Sequence, residues 1–542
     1  MYTLGIDFGT LSARAALFDI RNGSEIASSV YEYPHGVMDE ELFGRKLPSG
    51  FALQHPGDYA AALKHCVSRV ISDSGLDAKE IVGVGIDFTA CTLIPLKDGV
   101  PLCFYEEFKD EPHAYAKLWK HHAAAPYAER FTELAKKRGE GFLEHYSGIT
   151  SSEWMFPKVM EILDKAPKVY EAADSLMEAG DYMVFLLTGE MKRSICQAGF
   201  KASWNIETGY PSKDFFRELD PRLENVVEEK LKGEISLLDK PAGRVTEKGA
   251  ALTGLAVGTS VAVSCIDAHS ALLASGICDA GKMMLIIGTS GCHIMMNEEE
   301  RYIPGISGTV KDGFVPGYYI CEAGQSCVGD HFDWFVKNCV PMSYAEEARA
   351  KGINLHKLLR EKAQKLRPGE SGLIALDWFN GNRSILNDSE LSGMILGYSL
   401  RTKPEEIYRA LIEATAFGTK VILDAFESGG QMISELYAAG GIASKDPMLM
   451  QIYSDVTGKK IYVSDYPQAC ALGSAIIGSV VAGVFESFSE ACRSMAQPCS
   501  RVYSPIPENA EPYSRLYEEY KALHDYFGRG GNDVMKRLRE LR

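Results

Sequence analysis

Leu4-Gly5-Ile6-Asp7-Phe8-Gly9-Thr10 is the stretch that decides the fold. A short apolar strand runs into a tight Gly-Thr turn, and a second strand, Ala13-Arg14-Ala15-Ala16-Leu17-Phe18-Asp19, comes immediately after it. The arrangement returns far downstream. Lys282-Met283-Met284-Leu285-Ile286-Ile287 runs into Gly288-Thr289-Ser290-Gly291, and Cys292-His293-Ile294-Met295-Met296 completes the hairpin. Two such units, one in each half, imply a duplicated fold that grips one polyphosphate between its halves. Glycine lets backbone N–H groups approach phosphate oxygens closely, and the threonine hydroxyl adds a donor. Asp7, a carboxylate in a buried strand, is placed to hold a metal ion through water. Either hairpin alone reads as an ordinary Gly-containing turn. The recurring pair does not.

The chain has 542 residues, too many for a single core, so two large domains are expected, divided at 1–258 and 259–542. The formal charge is -16, from 57 basic and 73 acidic residues, which disfavours nucleic acid as a partner because a phosphate backbone needs a basic face. An acidic protein still holds ATP when the local site supplies N–H groups, Mg²⁺ and a few cations. The 13 cysteines are scattered, odd in number and without C-x-x-C spacing, the pattern of reduced thiols in a cytoplasmic protein. The N-terminus lacks the basic-then-apolar pattern of a signal peptide. The longest apolar run, Ala471 to Phe485, contains Gly and Ser and is too short to span a bilayer, so no membrane partner is expected.

The first segment reads as three strands, a helix at Pro56 to Ser74, and the buried strand Ile81 to Asp87. Residues 105 to 180 look mainly helical, and Ala179 to Thr188 is a helix closed by Gly189. The charged, Pro-containing stretch 220 to 258 reads as a linker. The second half then opens with the strand Ser260 to Ile266, succeeded by Asp267 and a helix through Ala274. A long helix is expected from Pro404 to Glu427, a strand at Leu436 to Ala439, a Gly440-Gly441 turn, and a helix from Pro447. Tyr513, Leu516, Tyr517, Tyr520, Leu523 and Phe527 form the apolar stripe of a docked terminal helix.

The common routes to nucleotide or acyl chemistry are absent. There is no G-x-x-x-x-G-K-[ST], no G-x-G-x-x-G opening a helix, and no G-x-S-x-G. What remains beside the hairpins is a lone carboxylate, Asp267, where a strand stops and a helix begins. Open α/β folds place ligands at such strand ends. A kinase acting on an alcohol needs a carboxylate there, because the hydroxyl proton must leave as the P–O bond forms. An Asp in that position also caps a helix well, and both readings stand at this point. His269 has no second ligand at metal spacing and reads as a packed or surface histidine. The Gly440-Gly441 turn, with no side chain in the way, can lie flat against a purine or ribose.

These landmarks resemble the FGGY carbohydrate kinases of the actin-like ATPase superfamily over essentially the whole chain. The shared positions are Gly5 to Thr10 with Arg14, Ile266-Asp267-Ala268-His269, Gly288-Thr289-Ser290, Gly381-Asn382-Arg383, and Ala439 to Ala443 with Gln451 and Asp455. Within that family, Gly85 to Thr92, Ser151 to Trp154, Ala198 to Trp204, Glu322 to Ser326 and Leu376 to Gly381 are similar to the ribulokinase branch. The resemblance implies an α/β, duplicated actin-like (ribonuclease H-like) fold with two domains around a central cleft. It implies ATP and Mg²⁺ as cofactors and a sugar, L-ribulose, as acceptor, and a homodimer is compatible with it. By the same resemblance Asp267 is the general base. The backbone at Ala90, with Lys201 and Glu322, lines the ketopentose. Gly9, Thr10, Arg14, Gly288 and Thr289 hold the phosphates, Gly440, Gly441 and Lys445 border the adenosine, and Asp7 lies near Mg²⁺. One departure concerns the nucleotide: ribulokinase-like chains often carry Lys-Asn where this one has Lys445-Asp446. An actin-like ATPase without sugar chemistry would need the hairpins but not Asp267, Lys201 and Glu322.

Overall fold

The computed structural model describes residues 1–541. Two mixed sheets dominate it, and they have the same construction. The first runs Glu25–Glu32, Ser12–Asp19, Tyr2–Phe8, Ile81–Phe88, Ser260–Ala262, Pro241–Arg244, with Cys265–Ile266 also pairing to Ile81–Phe88. The second runs Tyr319–Gln325, Gly291–Asn297, Lys282–Ile287, Glu435–Ala439, Ile461–Val463, Arg501–Tyr503, with Ser307–Lys311 added at the start. In each, an antiparallel hairpin and a third antiparallel strand are joined by two parallel additions and an antiparallel edge. The expected hairpins therefore occupy equivalent places in a duplicated α/β fold.

Alternation explains how the first sheet is closed. Gly5 and Asp7 point to one face of their strand, and Gly83, Gly85 and Asp87 to the same face of the next. The helix Ala469–Val481 lies on that face. A Cβ on Gly5 would sit 1.7 Å from the Ala471 carbonyl oxygen, and one on Gly85 would sit 1.8 Å from that of Ser474. Only glycine allows this approach, which brings the start of the helix up to the two aspartates.

That packing corrects the expected division. The stretch Ser260–Ile266, read as one strand opening the second half, forms two short strands, Ser260–Ala262 and Cys265–Ile266, that both pair within the first sheet, and the chain crosses to the second only after Ala274. The Ala469–Val481 helix then returns to cover the first. The stretch 220–258 is not a linker. It contains the edge strand Pro241–Arg244 and the helix Glu247–Thr253, and it buries Leu238, Ala242 and Val245. An edge strand tolerates Pro and outward charge, which is why its composition resembled a loop.

The helices at Pro56–Ser74, Ala179–Thr188, Pro404–Ser428, Pro447–Thr457 and Pro507–Gly528 lie where the sequence placed them. The 105–180 region is less helical than expected. Its strands Ala116–Lys117 and Ser175–Glu178 join Leu53–Gln54 and Leu93–Lys97 in a small sheet beside an aromatic cluster of Phe131, Phe156, Phe215 and Phe216. Among the described residues no helix is long and apolar enough to cross a membrane.

Candidate active site

Three carboxylates meet at the ends of three neighbouring strands. Asp7 and Asp87 are register partners on adjacent parallel strands, and Cys265 and Ile266 pair with Asp87 and Phe88, so Asp267 emerges beside them. Phe8 and Phe88, the next residues, stack at 5.0 Å and lock the register. Asp7 faces its hairpin partner Arg14 at 3.3 Å. The Ser474 hydroxyl donates to Asp87 Oδ2 at 2.7 Å, while Asp87 Oδ1 is buried without a hydrogen-bond partner among the described residues.

Burial raises all three carboxyls. Arg14 works against the rise at Asp7, and the neighbouring Asp7 adds to it at Asp87. Asp267 is pushed up to about 7 by burial and then by Asp7, against the Ala268 N–H that donates to its Oδ1 at 2.7 Å. The two readings left open for Asp267 now separate. Ile266 occupies the cap position of the Asp267–Ala274 helix, and the Asp267 carboxylate takes only the N–H of the adjacent residue. A capping side chain reaches the second or third helical N–H. No other hydrogen bond reaches the Asp267 carboxylate among the described residues.

Lys201, the last residue of the helix Ile195–Lys201, meets Glu322 of the strand Tyr319–Gln325, with Nζ 3.3 Å from Oε2 and both side chains 9% exposed. The two residues come from different halves of the chain. The structure adds two more cations to Glu322: Arg383 Nη2 at 2.8 Å from Oε1, and His269 Nε2 at 3.8 Å from Oε2. Burial opposes the Glu322 charge, yet Lys201, His269 and Arg383 together hold it well below the usual carboxylate range. His269 is buried, with Nδ1 3.3 Å from Cys196 Sγ and its ring edge-on to Phe200 at 4.6 Å. Cys196 and Glu322 outweigh burial and raise it.

Ala90 sits in the turn after the Ile81–Phe88 strand. That turn is held by a buried ammonium: Lys158 Nζ donates to the Cys91 carbonyl at 2.6 Å and to that of Leu118 at 2.9 Å. Cys91 has φ +51°, a left-handed conformation that such an anchor must maintain.

The two Gly-Thr turns are closed by their own backbones, Gly9 N–H to Ser12 O at 3.0 Å and Gly288 N–H to Ser290 O at 2.9 Å. Thr10 is steadied by Gln54, whose Nε2 donates to its carbonyl at 2.6 Å, and by Trp119, whose Nε1 donates to its hydroxyl at 3.2 Å. Thr289 is exposed. Gly440 has φ +104°, and a Cβ there would lie 2.5 Å from the Ile287 carbonyl oxygen, so glycine is required where the turn passes the second hairpin. Gly441 opens the short helix Gly441–Lys445 and is exposed, as is Lys445. Asp446 is buried. It caps the helix Pro447–Thr457 through the Leu449 N–H at 3.0 Å and pairs with Arg360 at 3.2 Å. The Asn-to-Asp departure therefore falls on a capping residue.

A divalent cation fits the Asp7 and Asp87 pair. Two buried like charges in register, one with an orphan oxygen, need either a proton or a cation between them. Sequence reasoning gave Asp87 and Arg383 no role. Asp87 was nonetheless visible, since Gly85-Ile86-Asp87-Phe88 repeats Gly5-Ile6-Asp7-Phe8 and Ile266-Asp267 echoes both.

Residues 2–274 match the N-terminal domain of the FGGY family of carbohydrate kinases, and residues 283–482 match its C-terminal domain. The chain belongs to the FGGY carbohydrate kinases. The protein's relatives within this FGGY family include a ribulokinase of Bacillus licheniformis, 52% identical over 539 residues covering 98% of each chain. A ribulokinase of Halalkalibacterium halodurans is 51% identical over 548 residues, 100% of this chain and 97% of its own. Among solved structures, the xylulose kinase from Rhodospirillum rubrum aligns with TM-score 0.78 over 97% of this FGGY chain and 98% of its own, at 21% identity. The gluconate kinase from Lactobacillus acidophilus aligns with TM-score 0.77 at 19% identity, over 98% of both chains. These likenesses establish the two-domain, actin-like FGGY fold.

Proposed function

We propose that the protein transfers the γ-phosphoryl group of ATP to the terminal hydroxyl of L-ribulose, giving L-ribulose 5-phosphate and ADP in the breakdown of L-arabinose. The observation that carries this reading is the buried Asp267 carboxyl, which feels the charges of Asp7, on the strand that leads into the first Gly-Thr turn, and of Glu322, itself paired with Lys201. The half-identical, full-length relatives named ribulokinase supply the choice of sugar.

In this reading the Ala90 backbone, Lys201 and Glu322 orient the ketopentose. Lys201 donates to hydroxyl or carbonyl oxygens, and Glu322 accepts from hydroxyls. Asp267 takes the proton of the terminal hydroxyl as that oxygen bonds to phosphorus and the bond to the ADP oxygen breaks. A value near 7 suits a base that must be ionised before transfer and must keep the proton afterwards. Gly9, Thr10, Gly288 and Thr289 hold the phosphates with N–H and hydroxyl donors, and Arg14 adds a positive charge beside Asp7. Gly440, Gly441 and Lys445 border the adenosine. Asp7 and Asp87 would hold a divalent cation, whose charge would neutralise the polyphosphate. Enclosing the cleft keeps water from the γ-phosphate.

The test is a coupled ADP-release assay over a panel of pentuloses and pentitols. L-ribulose is expected to give the highest kcat/KM. A D-ribulose, xylulose or ribitol preference would replace the sugar assignment, and sugar-independent ADP release alone would leave only an ATPase.

A further inference from the structure

Cys470 is the second residue of the Ala469–Val481 helix, the element that the glycines of the first sheet admit so closely. Its thiol therefore lies at a helix start beside the strand-end carboxylates. One oxygen from Asp7, one from Asp87 and the Cys470 sulfur all lie within 4.8 Å of one another. Asp87 is fully buried. Its Oδ2 takes the Ser474 hydroxyl, and its Oδ1 has no hydrogen-bond partner among the described residues. The cluster thus combines two hard oxygen donors and one soft sulfur donor around an unmet lone pair.

We propose that Asp7, Asp87 and Cys470 form a site for a thiophilic divalent cation of the zinc class, overlapping the place where the reaction's own hard cation would sit. Magnesium asks for an octahedron of oxygens and keeps its waters, so it gains nothing from the thiol. Zinc takes sulfur and carboxylate ligands together in tetrahedral geometry, with bonds of about 2.0–2.3 Å. Such bonds set the two oxygens about 3.3 Å apart and each oxygen about 3.5 Å from the sulfur, distances that fit inside the cluster's 4.8 Å limit. Three protein ligands leave the fourth position for water or a phosphate oxygen. As the metal–sulfur bond forms, the S–H bond breaks and its proton passes to solvent, with no change of oxidation state. Zinc held there would compete with the catalytic cation, and only this inhibitory consequence rests on the kinase reading.

A second cluster, His35, His55 and Asp58, is the natural competitor for zinc. It is poorly prepared. His35 Nδ1 is bound to Asp58 at 2.8 Å, and His55 Nδ1 takes the Gly57 N–H at 3.1 Å to cap the Pro56–Ser74 helix.

The experiment measures zinc binding to the purified full-length protein by competition with a chromophoric zinc indicator, and cadmium binding by its sulfur-to-metal charge-transfer absorption. Wild type is compared with Cys470→Ser, Cys470→Ala, Cys292→Ser and His35→Gln, each first shown to melt cooperatively. Wild type, Cys292→Ser and His35→Gln should bind zinc alike, with magnesium in excess displacing it, and should show the cadmium–thiolate band. Both Cys470 variants should bind zinc at least about 100-fold more weakly and lose the band, since losing even an outer partner costs about 10–100-fold. Zinc should also inhibit ADP release far less in Cys470→Ser than in wild type, each relative to its own zinc-free rate. No zinc binding by wild type, unchanged binding in both Cys470 variants, or loss of the site in His35→Gln would each overturn the proposal. Zinc binding that depends on Cys470 in a protein that phosphorylates no sugar would uphold the site and defeat the kinase reading alone.

Discussion

Replacing Lys201 by Met and Glu322 by Gln should damage sugar binding in both cases and stability in only one. The two groups face each other at 3.3 Å with little exposure, so neither charge is screened by water. A hydrogen bond to a charged group contributes about 1.5–3 kcal/mol. Its loss therefore raises KM for L-ribulose about tenfold to a hundredfold. KM for ATP should stay within a few-fold, because Thr10, Thr289 and Asp7 are untouched. The stability effects differ because the partners differ. Lys201→Met leaves Glu322 paired with Arg383 at 2.8 Å and with His269 beside it. Glu322→Gln removes the anion that Lys201 and Arg383 share and leaves His269 with Cys196 alone. Breaking a buried pair by removing one partner costs about 3–5 kcal/mol at the upper end, so Glu322→Gln should melt well below Lys201→Met. Two-substrate steady-state kinetics and thermal melts on both variants measure these effects. A flat sugar KM, an ATP KM that moves more than the sugar KM, or the reverse order of melting would refute the assignment of the clamp.

Asp267→Asn should lower kcat by about 10²–10⁴-fold while sparing sugar binding, as loss of a general base does; a variant keeping a tenth of wild-type kcat would remove Asp267 from the chemistry. Because the folded carboxyl titrates near 7 rather than 3.8, kcat/KM should fall about tenfold per unit below about pH 7, and Asp267→Asn should lack that limb. The same raised value means that the folded state binds this proton more tightly than the unfolded chain. Its stabilising contribution is complete below about pH 4 and lost as pH rises through about 7, so Asp267→Asn should flatten the melting profile across that window. Thr10→Ala and Thr289→Ala should each raise KM for ATP, with the double variant worse than either; unaffected ATP kinetics would make both hairpins purely structural. Gly5→Ala places a methyl 1.7 Å from the Ala471 carbonyl, so the covering helix must lift at a cost of about 1–3 kcal/mol, and an unchanged melting temperature would contradict the packing.

The parts of this protein that were legible in the sequence are those with local signatures. The Gly-Thr hairpins, the strand-end Asp267 and the long amphipathic helices each declare themselves within a short window of residues. What escaped depends on contacts between distant parts of the chain. Nothing near Gly5, Gly83 and Gly85 announces that a helix beginning at Ala469 will lie against them, and without that helix Asp87 looks like the end of an ordinary strand. The Gly-Ile-Asp-Phe repeat at 5–8 and 85–88 was the available signal, since equal spacing from paired strand ends puts the two carboxylates side by side. Arg383 joins Glu322 from a loop 61 residues away, and the edge strand Pro241–Arg244 hid behind a loop-like composition.

The central claim is phosphoryl transfer to the terminal oxygen of L-ribulose. Its most direct test incubates the purified protein with ATP, Mg²⁺ and L-ribulose, quantifies ADP, and locates the phosphate in the product by phosphorus and carbon NMR. One ADP per sugar phosphate, with phosphorus coupled to C5, is the predicted result. ADP accompanied by inorganic phosphate and unmodified sugar, or phosphate at another carbon, would contradict it.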